Sequence, residues 1–289
     1  MAAEKTTAEY DEEYDEVVIL GARGSIPVNG VEHSVYGGAT SCVLVKAGSE
    51  LVLFDAGSGM MKLTSDLWEK TYSKLYSDPK RLHILLSHYH LDHMMGLMMS
   101  PVLYDKNIEI VFYAPGGKES VLSALQQMMK RPLWPVGPEV FQAKFQYSDV
   151  ERSLSHLADS EITVSTMPVV HPGGAYSYRL DWNGKSVVYA TDCELDAESG
   201  LQLKKFANQA DLFIIDAQYK AEEYDSHKGF GHSYIEISAS VIAASHAVKG
   251  LLFHHAPERT DAELAKLEKK LRCEYPQAGF AKEGDVIRI

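Results

Sequence analysis

A short segment rich in histidine and aspartate is the part of this 289-residue chain best suited to chemistry. His88, His90, Asp92 and His93 follow directly after an apolar run that spans residues 82–86. Imidazole nitrogens and carboxylate oxygens bind zinc, iron or manganese, and the absence of thiolates in the segment argues against a closed structural zinc site. Four ligands this close would crowd one ion. The spacing therefore predicts two metals, with His88 and His90 on one and Asp92 and His93 on the other.

Further polar side chains follow apolar segments later and earlier in the chain. They are histidines and aspartates, each at the end of a predicted strand or apolar segment: Asp55, His171, Asp192, His254 and His255. With these pieces in order over nearly its whole length, the chain resembles the metallo-β-lactamase superfamily of metal-dependent hydrolases.

This resemblance implies a ligand for each coordination position. The ligands fall into two sets that share one carboxylate: His88, His90 and His171 for one ion, Asp92, His93 and His254 for the other, and Asp192 bridging both. His255 competes with His254, which is preferred because it directly follows a short apolar strand. The implied cofactors are two divalent ions per chain, zinc first and manganese or iron as alternatives. A hydroxide bridging the ions would attack the substrate, with Asp92 orienting it, and Asp55 would hydrogen-bond a ligand or a site loop.

The fold that the resemblance implies is α/β (α+β), a four-layer αββα sandwich of the metallo-β-lactamase type. The sequence pattern predicts strands near residues 17–21, 42–47, 51–54, 82–86, 108–113, 161–166, 176–182, 186–190, 211–215, 250–253 and 285–289. It predicts helices near residues 61–76, 93–99, 117–130, 198–207, 234–247 and 261–272. Asn183-Gly184 predicts a hairpin turn, Thr260 or Asp261 is expected to cap the last helix, and residues 131–150 are expected to form an irregular loop.

A glycine-rich segment before one predicted helix favours one branch of the superfamily. Ser233 is the predicted N-cap of that helix, which would place His232 where a helix terminus favours anions and where it could protonate a leaving alkoxide. The Gly-His-Ser sequence and residues 21–27 resemble the phosphodiesterase branch, which includes cyclic-nucleotide and small cyclic-phosphate phosphodiesterases and tRNA 3′-processing ribonucleases. Arg23 is a candidate for neutralising a substrate phosphate.

Charge and composition narrow the partners. The net charge is −12, and about half of it lies in residues 1–16, a predicted acidic tail before a single hydrolase domain over residues 17–289. The chain is acidic and has no long basic arm rich in glycine and proline. These features disfavour nucleic acid and favour a small phosphodiester as the substrate. A homodimer is possible. No run of about 18 apolar residues and no secretory signal is present, and the three cysteines are scattered. These features predict a cytoplasmic protein without a membrane span.

The predicted activity is metal-dependent hydrolysis of a small phosphodiester, such as a cyclic nucleotide or a cyclic phosphate. One alternative is hydrolysis of a carbonyl substrate (a lactone, thioester or β-lactam) at the same site. Another is a non-hydrolytic diiron protein that binds oxygen or acts as a sensor. Redox relatives commonly have a carboxylate where this chain has His90, so the histidine at that position favours hydrolysis.

Overall fold

A computed structural model of the protein describes residues 15–63, 80–153, 156–158 and 160–289. The strands in chain order are β1 (Glu16–Gly21), β2 (Cys42–Ala47), β3 (Glu50–Phe54), β4 (Lys80–Leu85), β5 (Ile108–Ala114), β6 (Lys144–Asp149), β7 (Thr163–Val169), β8 (Ala175–Trp182), β9 (Lys185–Ala190), β10 (Leu212–Asp216), β11 (Lys249–Phe253), β12 (Ala278–Phe280) and β13 (Val286–Arg288). The α-helices are α1 (Gly117–Met128), α2 (Val150–Ser153), α3 (Ala197–Phe206), α4 (Ala221–His227), α5 (Ile235–Ser245) and α6 (Asp261–Glu274).

The strands form two sheets. The first has seven strands in the order β13-β1-β2-β3-β4-β5-β6, and the second has six in the order β12-β11-β10-β9-β8-β7. Strands β3 to β6 run parallel to one another, and so do β9 to β12. Because parallel strands end at one edge of a sheet, the loops that follow them collect the polar residues of several strands in one place.

Three apolar clusters define the layers of the molecule. Alternate residues of β2 point to opposite sides, so Val43 and Val45 join a cluster between the two sheets while Leu44 joins a cluster on the outer face of the first sheet. Helix α1 covers that outer face, and α3, α5 and α6 cover the outer face of the second sheet. This is the helix-sheet-sheet-helix sandwich that the sequence predicts.

Several local predictions are confirmed. Each strand predicted from the sequence is present, with ends shifted by up to three residues. Asn183 and Gly184 join β8 to β9 with φ angles of 46° and 74°, the left-handed pair of a tight hairpin turn. Thr260 is the N-cap of α6, and its side-chain oxygen accepts a hydrogen bond from the Glu263 N–H at 3.3 Å.

The irregular loop expected over residues 131–150 is wrong in part, because β6 occupies its last residues. This edge strand pairs in parallel with β5. Phe145 and Tyr147 alternate onto the outer face of the first sheet, where they pack against the apolar cluster under α1. Strand β12 is a second strand that the sequence pattern did not predict, and it has only three residues.

The helix expected near residues 93–99 is also wrong. Two short 3-10 turns, Leu91–His93 and Met95–Met98, stand in its place. The backbone there bonds to the loop after β3, since the Gly96 N–H donates to the Ala56 oxygen at 2.9 Å and the Ala56 N–H donates to the His93 oxygen at 2.8 Å. A Cβ on Gly96 would lie 2.1 Å from the oxygen of Gly57, so the two segments need this glycine to approach each other.

Two predicted segments fall largely outside the described residues. The predicted helix near residues 61–76 overlaps the undescribed range 64–79. Of the predicted acidic tail, only Asp15 and Glu16 are described, and Glu16 already belongs to β1. Over the ranges that the structure describes, the helices are all too short or too polar to cross a membrane.

Candidate metal centre

The loops after five strands meet at one edge of the sandwich and bring histidines and carboxylates together. Residues 88–93 follow β4, His171 follows β7, Asp192 follows β9 and His254 follows β11. Asp192 and His254 have φ angles of 52° and 62°, and Asp55 after β3 has a φ of 55°. Residues other than glycine seldom adopt this left-handed backbone, and such conformations concentrate at functional sites.

Asp192 presents its two carboxylate oxygens to two different pairs of histidines. Its Oδ2 lies 3.6 Å from the Nε2 of His88 and 3.6 Å from the Nε2 of His171. Its Oδ1 lies 3.2 Å from the Nε2 of His93 and 3.2 Å from the Nε2 of His254. One carboxylate therefore stands between two groups of imidazoles.

His90 and Asp92 complete these two groups. The Nδ1 of His90 lies 3.0 Å from the Nε2 of His171. The Oδ2 of Asp92 lies 3.3 Å from the Nε2 of His93 and 3.2 Å from the Nε2 of His254. The structure thus brings all seven predicted ligand residues together in two overlapping clusters suited to metal ions: His88, His90 and His171 with Asp192, and Asp92, His93 and His254 beside the same carboxylate.

The donor atoms fit bound cations. The Nε2 atoms of His88 and His93 are buried and make no hydrogen bond to any described residue, whereas nearly all buried polar atoms in proteins have a partner. Both atoms face the Asp192 carboxylate. Nitrogen and oxygen donors without a thiolate suit zinc, manganese or iron.

The protonation states of the cluster also suit cations. Burial alone would raise the pKa of Asp192, but His254 and His93 hold that pKa well below its usual range. Burial lowers the pKa of His88 well below its usual value and keeps the ring neutral. Burial would likewise lower the pKa of His93, but Asp192 and Asp92 raise it. The raised pKa means that His93 holds a proton, and a cation bound here would replace it, as expected for metal ligands.

The ring nitrogens that face away from the cluster bind fixed acceptors. The Nδ1 of His171 donates to the oxygen of Gly231 at 3.0 Å, and the Nδ1 of His254 donates to Oε1 of Gln218 at 2.8 Å. Such partners fix the tautomer and the ring orientation of metal-binding histidines.

Asp55 supports the centre from behind, as the sequence predicts. Its buried carboxylate accepts hydrogen bonds from His93 Nδ1 at 2.7 Å and from Tyr189 Oη at 2.8 Å. It also accepts from the Ser87 N–H at 2.7 Å and from the Ser87 hydroxyl at 2.8 Å. Asp55 therefore holds both a ring of the cluster and the start of the loop that carries His88.

The structure separates His254 from His255. His254 joins the cluster, whereas the Nε2 of His255 donates to the oxygen of Ala281 at 2.8 Å. The His255 ring packs beside Phe280 and Tyr36, with ring centroids 5.4 and 6.1 Å away. His255 therefore lies in the protein interior behind the centre.

A buried pair, His232 and Asp216, adjoins the centre. The Nδ1 of His232 donates to the Oδ2 of Asp216 at 2.9 Å, and the His232 ring stacks on that of His254 with centroids 4.8 Å apart. Burial alone would lower the pKa of His232, but the Asp216 carboxylate raises it to about 9. Sequence reasoning missed Asp216. The available signal was its position directly after the apolar residues 212–215 of β10, the same pattern that marks Asp55 and Asp192.

Two predicted roles near the centre are wrong. Ser233 is not an N-cap, because Tyr234 occupies that position, while the Ser233 hydroxyl donates to the Cys193 oxygen at 2.6 Å. Arg23 does not face a substrate. Its guanidinium is fully buried and donates to the backbone oxygens of Gly37, Ala256 and Arg259.

Two depressions border the centre, and Pro172 lines both. One, of about 500 Å³, is lined by His88 and His90 together with aromatic, proline and glycine residues. The other, of about 520 Å³, is lined by His232 and Phe230 together with further aromatic and polar residues. The first depression reaches His88 and His90 of the cluster, and the second reaches His232.

Comparison with known proteins agrees with this architecture. Residues 51–255 match the family described as a beta-lactamase superfamily domain. Ribonuclease Z of Thermococcus sibiricus is 23% identical over 312 residues, which cover 95% of this chain and 96% of that protein. The probable metallo-hydrolase YhfI of Bacillus subtilis is 24% identical over 281 residues, which cover 93% of this chain and 99% of that protein.

Solved structures share the fold. The crystal structure of the metallo-beta-lactamase fold protein YhfI from Bacillus subtilis aligns with a TM-score of 0.67 and 18% identity, over 96% of this chain and 100% of that one. The crystal structure of a diphosphatase from the PhnP family aligns with a TM-score of 0.64 and 19% identity, over 95% of this chain and 97% of that one. The predicted fold class is therefore confirmed.

Proposed function

Because the chain belongs to the beta-lactamase superfamily, we propose that it is a dinuclear metal-dependent phosphodiesterase that cleaves a small phosphodiester. The observation that carries this proposal is the position of Asp192, whose two oxygens face two separate groups of histidines. Two ions held about 3.5–4 Å apart by such a carboxylate are the usual arrangement in enzymes that hydrolyse phosphate esters.

Each ion has its own set of ligands in this proposal. His88, His90 and His171 would hold the first ion, Asp92, His93 and His254 would hold the second, and both would share Asp192. The ions would be zinc, with manganese or iron as alternatives. When bound, they would supply Lewis-acid chemistry, lowering the pKa of a water molecule and neutralising charge on the attacked phosphoryl group.

His232 is the proton donor in this mechanism. Its Nδ1 proton is held by Asp216, so the Nε2 proton is the one available to a leaving alkoxide. Asp216 raises the pKa of His232 to about 9, and charge repulsion from bound cations would bring this pKa back toward neutrality, where a general acid works best.

Ser25 N–H, which donates to Asp92 Oδ2 at 2.8 Å, keeps the Asp92 carboxylate oriented.

Three observations favour a phosphodiester over a carbonyl substrate, and a small one over nucleic acid. Proteins similar to this chain are named a ribonuclease and a diphosphatase, which are names for enzymes that break bonds to phosphorus. A buried acid beside the centre suits a leaving alkoxide. The net charge of −12 disfavours contact with a long polyanion.

The three cysteines are all unpaired, which supports the cytoplasmic location proposed from the sequence.

The test is hydrolysis of bis(p-nitrophenyl) phosphate by metal-free protein reloaded with zinc, manganese or iron. We expect metal-dependent turnover in the wild type and its loss in Asp92→Ala. Glu161→Ala is the matched control, since it removes an exposed carboxylate before β7, at the strand end opposite the centre. Absence of turnover with every metal, in protein that binds two ions per chain, would contradict the proposal.

A further inference from the structure

Phe230 is a large apolar side chain that is exposed although its backbone is firmly held. It is 58% exposed and lies between Gly229 and Gly231. The buried carboxylate of Glu194 accepts hydrogen bonds from the Gly229 N–H at 2.8 and 2.9 Å and from the Gly231 N–H at 3.0 Å. The hydroxyl of Tyr224 donates to the same carboxylate at 2.9 Å. Both backbone groups that flank Phe230 are thus fixed to one buried charge.

Phe230 also belongs to a series of aromatic rings that leads to the proposed proton donor. Its ring meets the His227 ring edge-on, with centroids 5.5 Å apart, and His227 stacks on Tyr219 at 4.4 Å. Tyr219 in turn contacts His232, with centroids 6.0 Å apart. All four residues line the depression of about 520 Å³ beside the centre. The exposed ring therefore lines the same depression as His232, on a backbone that Glu194 holds in place.

We propose that Phe230 is the stacking surface of a subsite for a nucleobase, so that the substrate is a nucleotide whose leaving oxygen is attached to the base-bearing sugar. This inference rests on the proposed function, because it is the proton donor that identifies the depression. An acid must lie next to the leaving oxygen, and the group attached to that oxygen must then extend into the space lined by His232. An exposed aromatic ring there offers its face to a planar ring, and stacking is favourable for every base.

The polar residues of the depression favour a base that carries an amino group. Glu258 lines the same space with an exposed carboxylate, which accepts hydrogen bonds and disfavours a second phosphate at that position. The amide of Gln218 is already engaged by His254 and Tyr219. Adenine offers both a planar face for Phe230 and an exocyclic amine for Glu258, which makes adenosine the appropriate probe.

The first test compares two cyclic phosphates on zinc-loaded protein. Cyclic AMP and 1,3-propanediol cyclic phosphate both release an alkoxide, and only cyclic AMP carries a base. The measured ratio is kcat/KM for cyclic AMP divided by kcat/KM for 1,3-propanediol cyclic phosphate. We expect Phe230→Ala to lower this ratio on the order of 10-fold, through a higher KM for cyclic AMP. Phe230→Tyr should restore the ratio, and Val248→Ala, an exposed apolar residue before β11 at the strand end opposite the centre, should leave it unchanged. An unchanged ratio in Phe230→Ala would overturn the inference.

The second test needs no turnover. Adenosine binding to the zinc-loaded protein, measured by calorimetry, should weaken on the order of 10-fold in Phe230→Ala and recover in Phe230→Tyr, while ribose should not bind. If adenosine binding depends on Phe230 but neither cyclic phosphate is cleaved, the subsite stands and the proposed function fails. If both phosphates are cleaved and adenosine binding is independent of Phe230, the subsite alone is overturned.

Discussion

The Nδ1 of His93 donates a hydrogen bond to the Oδ2 of Asp55 over 2.7 Å, and both side chains are completely buried. This bond commits the Nδ1 proton and leaves Nε2 as the ring nitrogen that faces the carboxylates of Asp92 and Asp192, where a cation can take the place of its proton. A carboxylate behind a metal-binding histidine fixes its tautomer and increases its basicity. The pair therefore ties the metal affinity of the centre to a residue that does not itself contact the ions.

Asp55→Asn should weaken zinc binding by about 10–100-fold with little change in side-chain volume, because the amide cannot accept all the hydrogen bonds that converge on Asp55. The measurement is a competition titration with a chromogenic chelator. Tyr189→Phe is the control, since it removes one hydrogen bond to Asp55 and keeps the carboxylate. Equal zinc affinity in Asp55→Asn and the wild type would show that Asp55 serves folding alone.

Gly231→Ala should displace His171 and lower zinc affinity on the order of 10-fold or more. A Cβ at this position would lie 2.2 Å from the His171 Nδ1, and the residue has a φ of 87°. Gly229→Ala is a matched control, because Gly229 has a φ of 89° but no heavy atom of the described residues lies within 4 Å of its Cβ. The two variants share the backbone strain and differ only in the collision. Similar zinc affinities in both would argue against a role for the His171 position.

His232→Ala should slow cleavage of cyclic AMP by about 10²–10⁴-fold and affect bis(p-nitrophenyl) phosphate far less. The difference arises because an alkoxide needs a proton to depart, whereas p-nitrophenolate leaves without one. Steady-state rates with both substrates, on protein with verified metal content, make the comparison. An equal loss on both substrates would assign His232 to binding or to the structure of the site instead.

His255 should make the metal-free protein less stable in mild acid. Burial, together with the nearby Arg23 guanidinium, lowers the pKa of His255 to about 3, whereas the unfolded chain has a histidine pKa near 6.5. Unfolding therefore takes up a proton, and the free energy of unfolding falls as the pH drops below about 6.5. Between about pH 7 and pH 5, denaturant titrations should show the wild type losing about 2 kcal/mol more than His255→Gln. A constant difference between the two proteins would refute this.

The residues of the centre could be predicted because their signal is local. Each stands at the end of a short apolar strand, so the strand pattern and the residue type together identify His88, Asp192 and His254. The choice between His254 and His255 needed the structure, because neighbouring residues of a chain leaving a strand can turn to opposite sides. The left-handed φ of His254 directs its ring into the cluster, while His255 bonds to Ala281 behind it.

What the sequence could not indicate depends on contacts between distant segments. The buried guanidinium of Arg23 donates hydrogen bonds to carbonyls as far as 236 residues away along the chain. A residue that was expected to bind substrate therefore stabilises the protein interior. Serine is a common helix N-cap, but the hydroxyl of Ser233 donates to the carbonyl of Cys193 instead of capping the helix. Asp216 and His232 lie 16 residues apart and pair only because α5 packs on the second sheet.

A dinuclear centre is tested by counting the zinc ions bound per chain, with inductively coupled plasma mass spectrometry after dialysis against a weak chelator. The wild type should retain two ions. Asp192→Ala should retain at most one, because the two groups of histidines lose the carboxylate that they share. Retention of a single ion by the wild type, or of two ions by Asp192→Ala, would contradict a dinuclear centre joined by Asp192.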